Sequence, residues 1–229
     1  MGRKIVVLGH YGSGKTEFSV NYALHLKKTN DCVALLDLDI ANPYFRSRER
    51  QRMLEDSGIN VYFNEYEYDI AEDLPAITAK IRAPLENESF DTVVDVGGND
   101  SGARIINQFR KYFEADDTKR YLVVNANRFE TDTLEGAMFH LKQIESEIGL
   151  SINGIINNTH LLTETTTDDI IKGHELCGKL SEETGIPVVF NTCVEKLVAE
   201  LEDRTSGMEN FNIFPIKLRM RASWLDAKI

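Results

Sequence analysis

The segment Gly9-His10-Tyr11-Gly12-Ser13-Gly14-Lys15-Thr16 constrains this chain more than any other. It has the spacing G-x-x-x-x-G-K-[ST], and its flanks are the ones that give such a spacing meaning. Before it, Lys4-Ile5-Val6-Val7-Leu8 is a β-branched apolar run that reads as a buried strand. After it, Phe18, Ala23, Leu24 and Leu26 open a helical stretch. Glycines in such a loop let backbone N–H groups turn inward around an anion's oxygens, where side chains would collide. The next helix aims its positive dipole end at the same place. Lys15 adds a full charge, and the Thr16 hydroxyl is an oxygen ligand suited to Mg²⁺. A phosphate cradle is therefore expected, with Gly9, His10, Tyr11, Gly12, Ser13, Gly14, Lys15, Thr16 and Glu17 in contact with the ligand.

Short apolar runs recur along the rest of the chain. Val33–Leu36, Asn60–Phe63, Thr92–Val96, Tyr121–Val124, Ile152–Ile156 and Pro187–Phe190 read as further strands. Helix-like stretches separate them near 16–29, 44–56, 73–86, 102–115, 131–148, 168–184 and 194–203. Continuous Val/Ile/Leu strands imply burial on both faces, hence an α/β fold with a mostly parallel sheet and helices on both faces. The tail Phe214-Pro215-Ile216-Lys217-Leu218-Arg219-Met220-Arg221 alternates apolar and basic residues and fits an edge strand, with charges that discourage aggregation. The 229 residues suit one nucleotide-binding domain over 1–229.

Composition narrows the function classes. The net charge of -11 disfavours nucleic acid as a partner. Cys32, Cys177 and Cys193 have no C-x-x-C spacing and fit reduced thiols of a cytoplasmic protein. No targeting segment is visible, and no apolar run approaches the roughly 20 residues that span a bilayer, so no membrane contact is expected.

Two further phrases sit where a parallel sheet gathers its ligand-binding ends. Asp37-Leu38-Asp39-Ile40-Ala41-Asn42 follows the second strand, and its two carboxylates can orient a water or hold Mg²⁺. Thr92-Val93-Val94-Asp95-Val96-Gly97-Gly98 is a strand ending in Asp and two glycines. Asp95 is placed to hold a metal-bound water, and the Gly98 N–H to approach a terminal phosphate. Thr16, Asp95 and Asp37 are thus the expected metal residues.

Taken together, the phosphate loop, the D-L-D-I-x-N phrase and the strand-Asp-x-Gly-Gly element resemble the MinD/ParA-like (SIMIBI-class) family of P-loop NTPases. The resemblance implies a P-loop NTPase fold, Mg²⁺-dependent ATP hydrolysis and an ATP-dependent homodimer. It makes Lys15, Asp39 and Asp37 the catalytic candidates, with Asp39 positioning the attacking water and Asp37 behind it near the metal. It implies that an Asn after the sixth strand contacts adenine: Asn157 is the first choice and Asn158 its neighbour, since an amide offers both donor and acceptor to a base edge. No Asn-Lys-x-Asp phrase for guanine is present, which favours ATP. Asn191-Thr192-Cys193 is expected to close over the base. One departure is His10, which stands where the family's loop carries a lysine that reaches across the dimer. Asn42–Glu49, with Tyr44, Phe45, Arg46 and Arg48, is either a switch and partner surface or a packed helix start. The reading is an ATP-driven switch acting on an unidentified protein client. Its alternatives are a phosphotransferase with a small acceptor and a nucleotide-gated binding protein with little turnover.

Overall fold

The computed structural model describes residues 2–39, 50–63, 74–98 and 106–220, with the backbone alone over 74–78. The phrase Asn42–Glu49, Arg104 and the stretch 64–72 lie outside the described residues.

The described strands are β1 (Lys4–Leu8), β2 (Val33–Leu38), β3 (Ile59–Phe63), β4 (Asp91–Val96), β5 (Lys119–Val124), β6 (Gly154–Asn157), β7 (Val188–Val194) and β8 (Ile213–Ile216). They form one parallel sheet in the order β3-β2-β4-β1-β5-β6-β7-β8. The helices are α1 (Lys15–Lys27), α2 (Gln51–Asp56), α3 (Leu74–Glu86), α4 (Leu134–Ile148), α5 (Thr167–Thr184) and α6 (Val198–Thr205).

The two-residue period of the strands divides the core. Val6, Leu8, Leu36, Val94, Leu122 and Val124 face one side, where Ile81 and Leu85 of α3, Leu141 and Ile148 of α4, and Cys177 and Leu180 of α5 cover them. Ile5, Val7, Leu35, Val93, Val123 and Ile156 face the other, against Phe18, Ala23 and Leu26 of α1 and Leu54 of α2. Helices thus cover both faces, which is why the strands carry unbroken apolar runs rather than alternation.

Most strands run slightly longer than their apolar runs. β7 differs more, continuing through Asn191, Thr192 and Cys193 to Val194, because β8 pairs with those residues. Asn191-Thr192-Cys193 is therefore strand rather than a loop folding over a base. The stretch 102–115 is not one helix either: within its described part the chain makes a short turn of helix at 106–108 and a 3₁₀ turn at Arg110–Tyr112. β8 is the edge strand, with Pro215 on the border where a missing N–H costs no sheet bond.

The chain winds away from β1 in both directions, with β4 on one side and β5 on the other. Such a reversal opens a crevice beyond the carboxyl ends of the strands. All strands being parallel, the segments that follow β1, β2, β4, β5 and β6 emerge on that one edge.

Candidate nucleotide site

The loop after β1 leads straight into α1. Its last glycine, Gly14, holds φ +86°, a left-handed conformation that costs other residues about 1–2 kcal/mol. The first turn of α1 has no side-chain cap. By contrast, Thr133 caps α4, and Thr166 with Asp169 forms a capping box on α5. The leading N–H groups of α1 are thus left for an anion from outside the helix.

The side chains around this loop come from several strands. Asp37 and Asp95 face each other in register on β2 and β4, and both are buried. The Asp37 carboxylate accepts from the Asp39 N–H at 3.1 Å, which ties Asp39 to the end of β2. Ser19 donates to Asp95 Oδ1 at 3.3 Å, and the Thr16 hydroxyl bonds the same carboxyl group. Asp95 Oδ2 is left buried with no hydrogen-bond partner. Burial, and next the neighbouring Asp37, push the Asp95 carboxyl up to about 8. Lys15 is buried too, and its Nζ donates to the His10 carbonyl at 3.1 Å. Burial lowers its pKa, against the pull of Asp95 and Asp39. Gly98 packs on the loop so tightly that a Cβ there would stand 2.9 Å from Lys15 Nζ and from the Tyr11 backbone nitrogen. Thr16, Asp95 and Asp37 together make a set of hard oxygens with one orphaned buried acceptor. That fits Mg²⁺, which takes few protein oxygens and keeps waters and phosphates for the rest. Among the described residues no group of three or more His, Cys, Asp or Glu gathers as a metal cage.

A cavity of about 240 Å³ opens beside the loop, lined by Tyr11, Gly12, Gly14, Lys15, Thr16, Glu17 and Asp39 on one side. Arg128, Asn158, His160, Leu162, Ile216, Leu218 and Met220 complete it. Asn157 does not reach it. That side chain is fully buried, and its amide donates to Ile170 O at 2.8 Å and Asn191 Oδ1 at 2.9 Å. Asn158 lines the cavity instead: its amide donates to Ser13 O at 2.7 Å, and Thr192 donates to its Oδ1. Strand parity accounts for which of the two lines the cavity. Asn157 follows Ile155 toward α5, whereas Asn158 follows Ile156 toward α1.

Three contributors carry no motif. Arg128, after β5, donates through Nε to Gly12 O at 3.0 Å and braces the loop. His160, after β6, receives the Leu162 N–H on Nδ1 at 3.3 Å. Burial, then Arg128, push its pKa down to about 4. The imidazole is therefore neutral, with its proton on Nε2. The third is the segment after β8. His10 turns to α4, where its ring lies 4.4 Å from that of His140, and its Nδ1 is buried without a partner. Burial and the His10 ring lower the pKa of His140.

Neither a family model nor a curated protein matches this chain. Solved structures do. The cell division protein FtsY of Thermotoga maritima is 19% identical, with 82% of this chain covering 60% of that one at a TM-score of 0.53. Chloroplast FtsY of Physcomitrella patens is 18% identical, with 82% and 58% covered and a TM-score of 0.54. The 54 kDa signal recognition particle protein of Aeropyrum pernix, solved with GDP, is 20% identical, with 82% and 41% covered and a TM-score of 0.52. This chain spans about two fifths to three fifths of the length of those proteins. These likenesses do not single out a MinD/ParA-like chain; what they show is the fold, the parallel α/β architecture of P-loop NTPases.

Proposed function

We propose that this protein is a Mg²⁺-dependent nucleoside triphosphatase that works as a nucleotide switch. One observation carries the reading. The uncapped start of α1, with Lys15 in its first turn, shares a sheet edge with a buried carboxylate whose Oδ2 lacks a partner. An empty donor set and an orphaned acceptor side by side call for an anion and a cation together.

The loop N–H groups and Lys15 bind the β- and γ-phosphates and stabilise the charge that builds on them. Thr16, Asp95 and Asp37 would hold the Mg²⁺, which when bound neutralises phosphate charge. Asp39 lies on the cavity wall, where it orients a water toward the terminal phosphate. Gly98 stands close against Lys15, so loss of the γ-phosphate is felt at Gly98.

ATP is the proposed substrate. Asn158 is followed by Thr159, His160 and Leu161, so no carboxylate stands where a guanine reader would need one. The GDP in the Aeropyrum relative points the other way, and competition between ATP and GTP decides. Exposed Tyr11, Phe129 and Phe139 border the loop, Arg128 and His140, and large exposed aromatics suit a protein interface. They support an ATP-dependent homodimer and a protein client. The test is phosphate release from ATP and GTP with Mg²⁺ and with EDTA. Mg²⁺-dependent release from ATP alone is expected. Tight binding without release would favour a nucleotide-gated binding protein, and release only with an added acceptor a phosphotransferase. Absence of any nucleotide binding refutes the reading.

A further inference from the structure

Beyond β8, residues 217–220 leave the sheet and lie as a strap along the first turns of α1. Two α1 side chains hold the strap by its backbone. Asn21 donates from Nδ2 to Lys217 O at 2.9 Å and accepts the Lys217 N–H on Oδ1 at 3.0 Å. Glu17 accepts the Arg219 N–H on Oε1 at 2.7 Å and the Met220 N–H on Oε2 at 3.1 Å. Both carboxylate oxygens of Glu17 are thus used on a segment about 200 positions away in sequence. Burial raises the pKa of Glu17, and the two N–H bonds oppose that rise.

The strap continues past the end of β8 without regular structure and bends at Met220. Ile216, Leu218 and Met220 face the cavity, while the backbone of Lys217 and Arg219 is tied to α1. They give an apolar wall to the cavity whose other lining includes the loop residues Gly12, Gly14, Lys15 and Thr16, and Glu17, directly after the loop, holds that wall. The part of a nucleotide beyond its phosphates is the nucleoside, and a flat base needs apolar surface on its faces.

We propose that the 217–220 strap is the wall against which the nucleoside packs, and that Glu17 is its positioning residue. The Glu17 backbone belongs to the first turn of α1, and its side chain sets the strap, so one residue links the phosphate end of the ligand to the nucleoside end. This rests on the nucleotide-binding reading above and assigns to Glu17 a role that its place in the loop does not convey.

The experiment compares Mg-ADP, Mg-GDP and Mg-pyrophosphate by calorimetric titration, since pyrophosphate has the phosphates without the nucleoside. Glu17→Ala is expected to weaken the preferred nucleoside diphosphate at least tenfold and to leave pyrophosphate within about twofold. Leu218→Ala, which keeps the pins and thins the wall, should show the same selective loss, and it decides alone if Glu17→Ala does not fold. Equal weakening of pyrophosphate and nucleotide, or no change in either, overturns the proposal. A wild-type protein that binds pyrophosphate but gains nothing from a nucleoside also overturns it while leaving the phosphate site standing. Binding of none of the three by wild type refutes the nucleotide reading itself, and the strap's role with it.

Discussion

Gly14→Ala is the substitution whose cost the structure defines most fully. Gly14 holds φ +86°, and a Cβ there would lie 2.2 Å from Asn158 Nδ2 and 3.1 Å from His160 Nε2. The left-handed conformation costs about 1–2 kcal/mol for alanine. The clash is the larger effect, because Asn158 must withdraw. Its bonds to Ser13 O and from Thr192 are then lost, at about 1–3 kcal/mol for each buried group left unsatisfied. The sum is about 3–8 kcal/mol, a large share of the roughly 5–15 kcal/mol that holds a domain folded. Urea unfolding followed by circular dichroism measures it. A double-mutant cycle then isolates the clash. Asn158→Ala alone also loses the two bonds, so Gly14→Ala/Asn158→Ala loses them once, and the double variant should be less destabilised than the sum of the singles by about 2 kcal/mol or more. A single variant within about 1 kcal/mol of wild type, or additive behaviour in the cycle, would show that Gly14 and Asn158 are not packed as described.

Four other outcomes follow from the site. Lys15→Ala should weaken Mg-nucleotide binding at least tenfold in a titration, since Lys15 is the cation of the loop's first helical turn. Asp39→Ala should keep nucleotide binding and lose phosphate release; the same loss in Asp37→Ala but not in Asp39→Ala would reassign the water-positioning role. His160 titrates near 4 in the folded protein against an ordinary 6.5, so its contribution to stability is complete above about pH 6.5 and is lost as pH falls toward 4. The loss is at most about 3–4 kcal/mol. Unfolding free energies at pH 7 and pH 4.5 should therefore diverge less in His160→Gln than in wild type. Sedimentation with a non-hydrolysable ATP analogue should show a dimer that Tyr11→Ser and Phe129→Ser weaken, and a monomer at saturating analogue would remove the dimer.

What was legible in the sequence was local. The Ile5–Leu8 run names a buried strand because both faces of β1 are covered, and a strand followed by this loop and helix has few geometries open to it. Asp37 and Asp95 could be placed for the same reason: each ends an apolar run in a sheet whose strands all point one way. Elements that rest on distant partners were not legible. β7 outruns its apolar stretch because β8 pairs with its polar end, and no pattern within Asn191-Thr192-Cys193 records that. Arg128 reaches Gly12 across 116 positions, Asn158 reaches Ser13 across 145, and Met220 reaches Glu17 across 203.

The choice between Asn157 and Asn158 shows how a small further fact makes such a contact readable. Neighbours in a strand point to opposite faces, so one of the two had to look toward α1 and the other toward α5. The sequence alone does not say which face α1 covers. Once Phe18 and Leu26 are seen to pack with Ile156, Asn158 is assigned to the loop side without further geometry. Asn157, with Ile155, goes to the α5 side, where it meets Ile170 O. Along the tail, Ile216, Leu218 and Met220 line the cavity while Glu17 and Asn21 hold the backbone of Lys217, Arg219 and Met220. Strand parity combined with one helix position therefore assigns the Asn158 wall of the cavity, whereas the wall beyond β8 rests on the contacts of Glu17 and Asn21 with a distant segment.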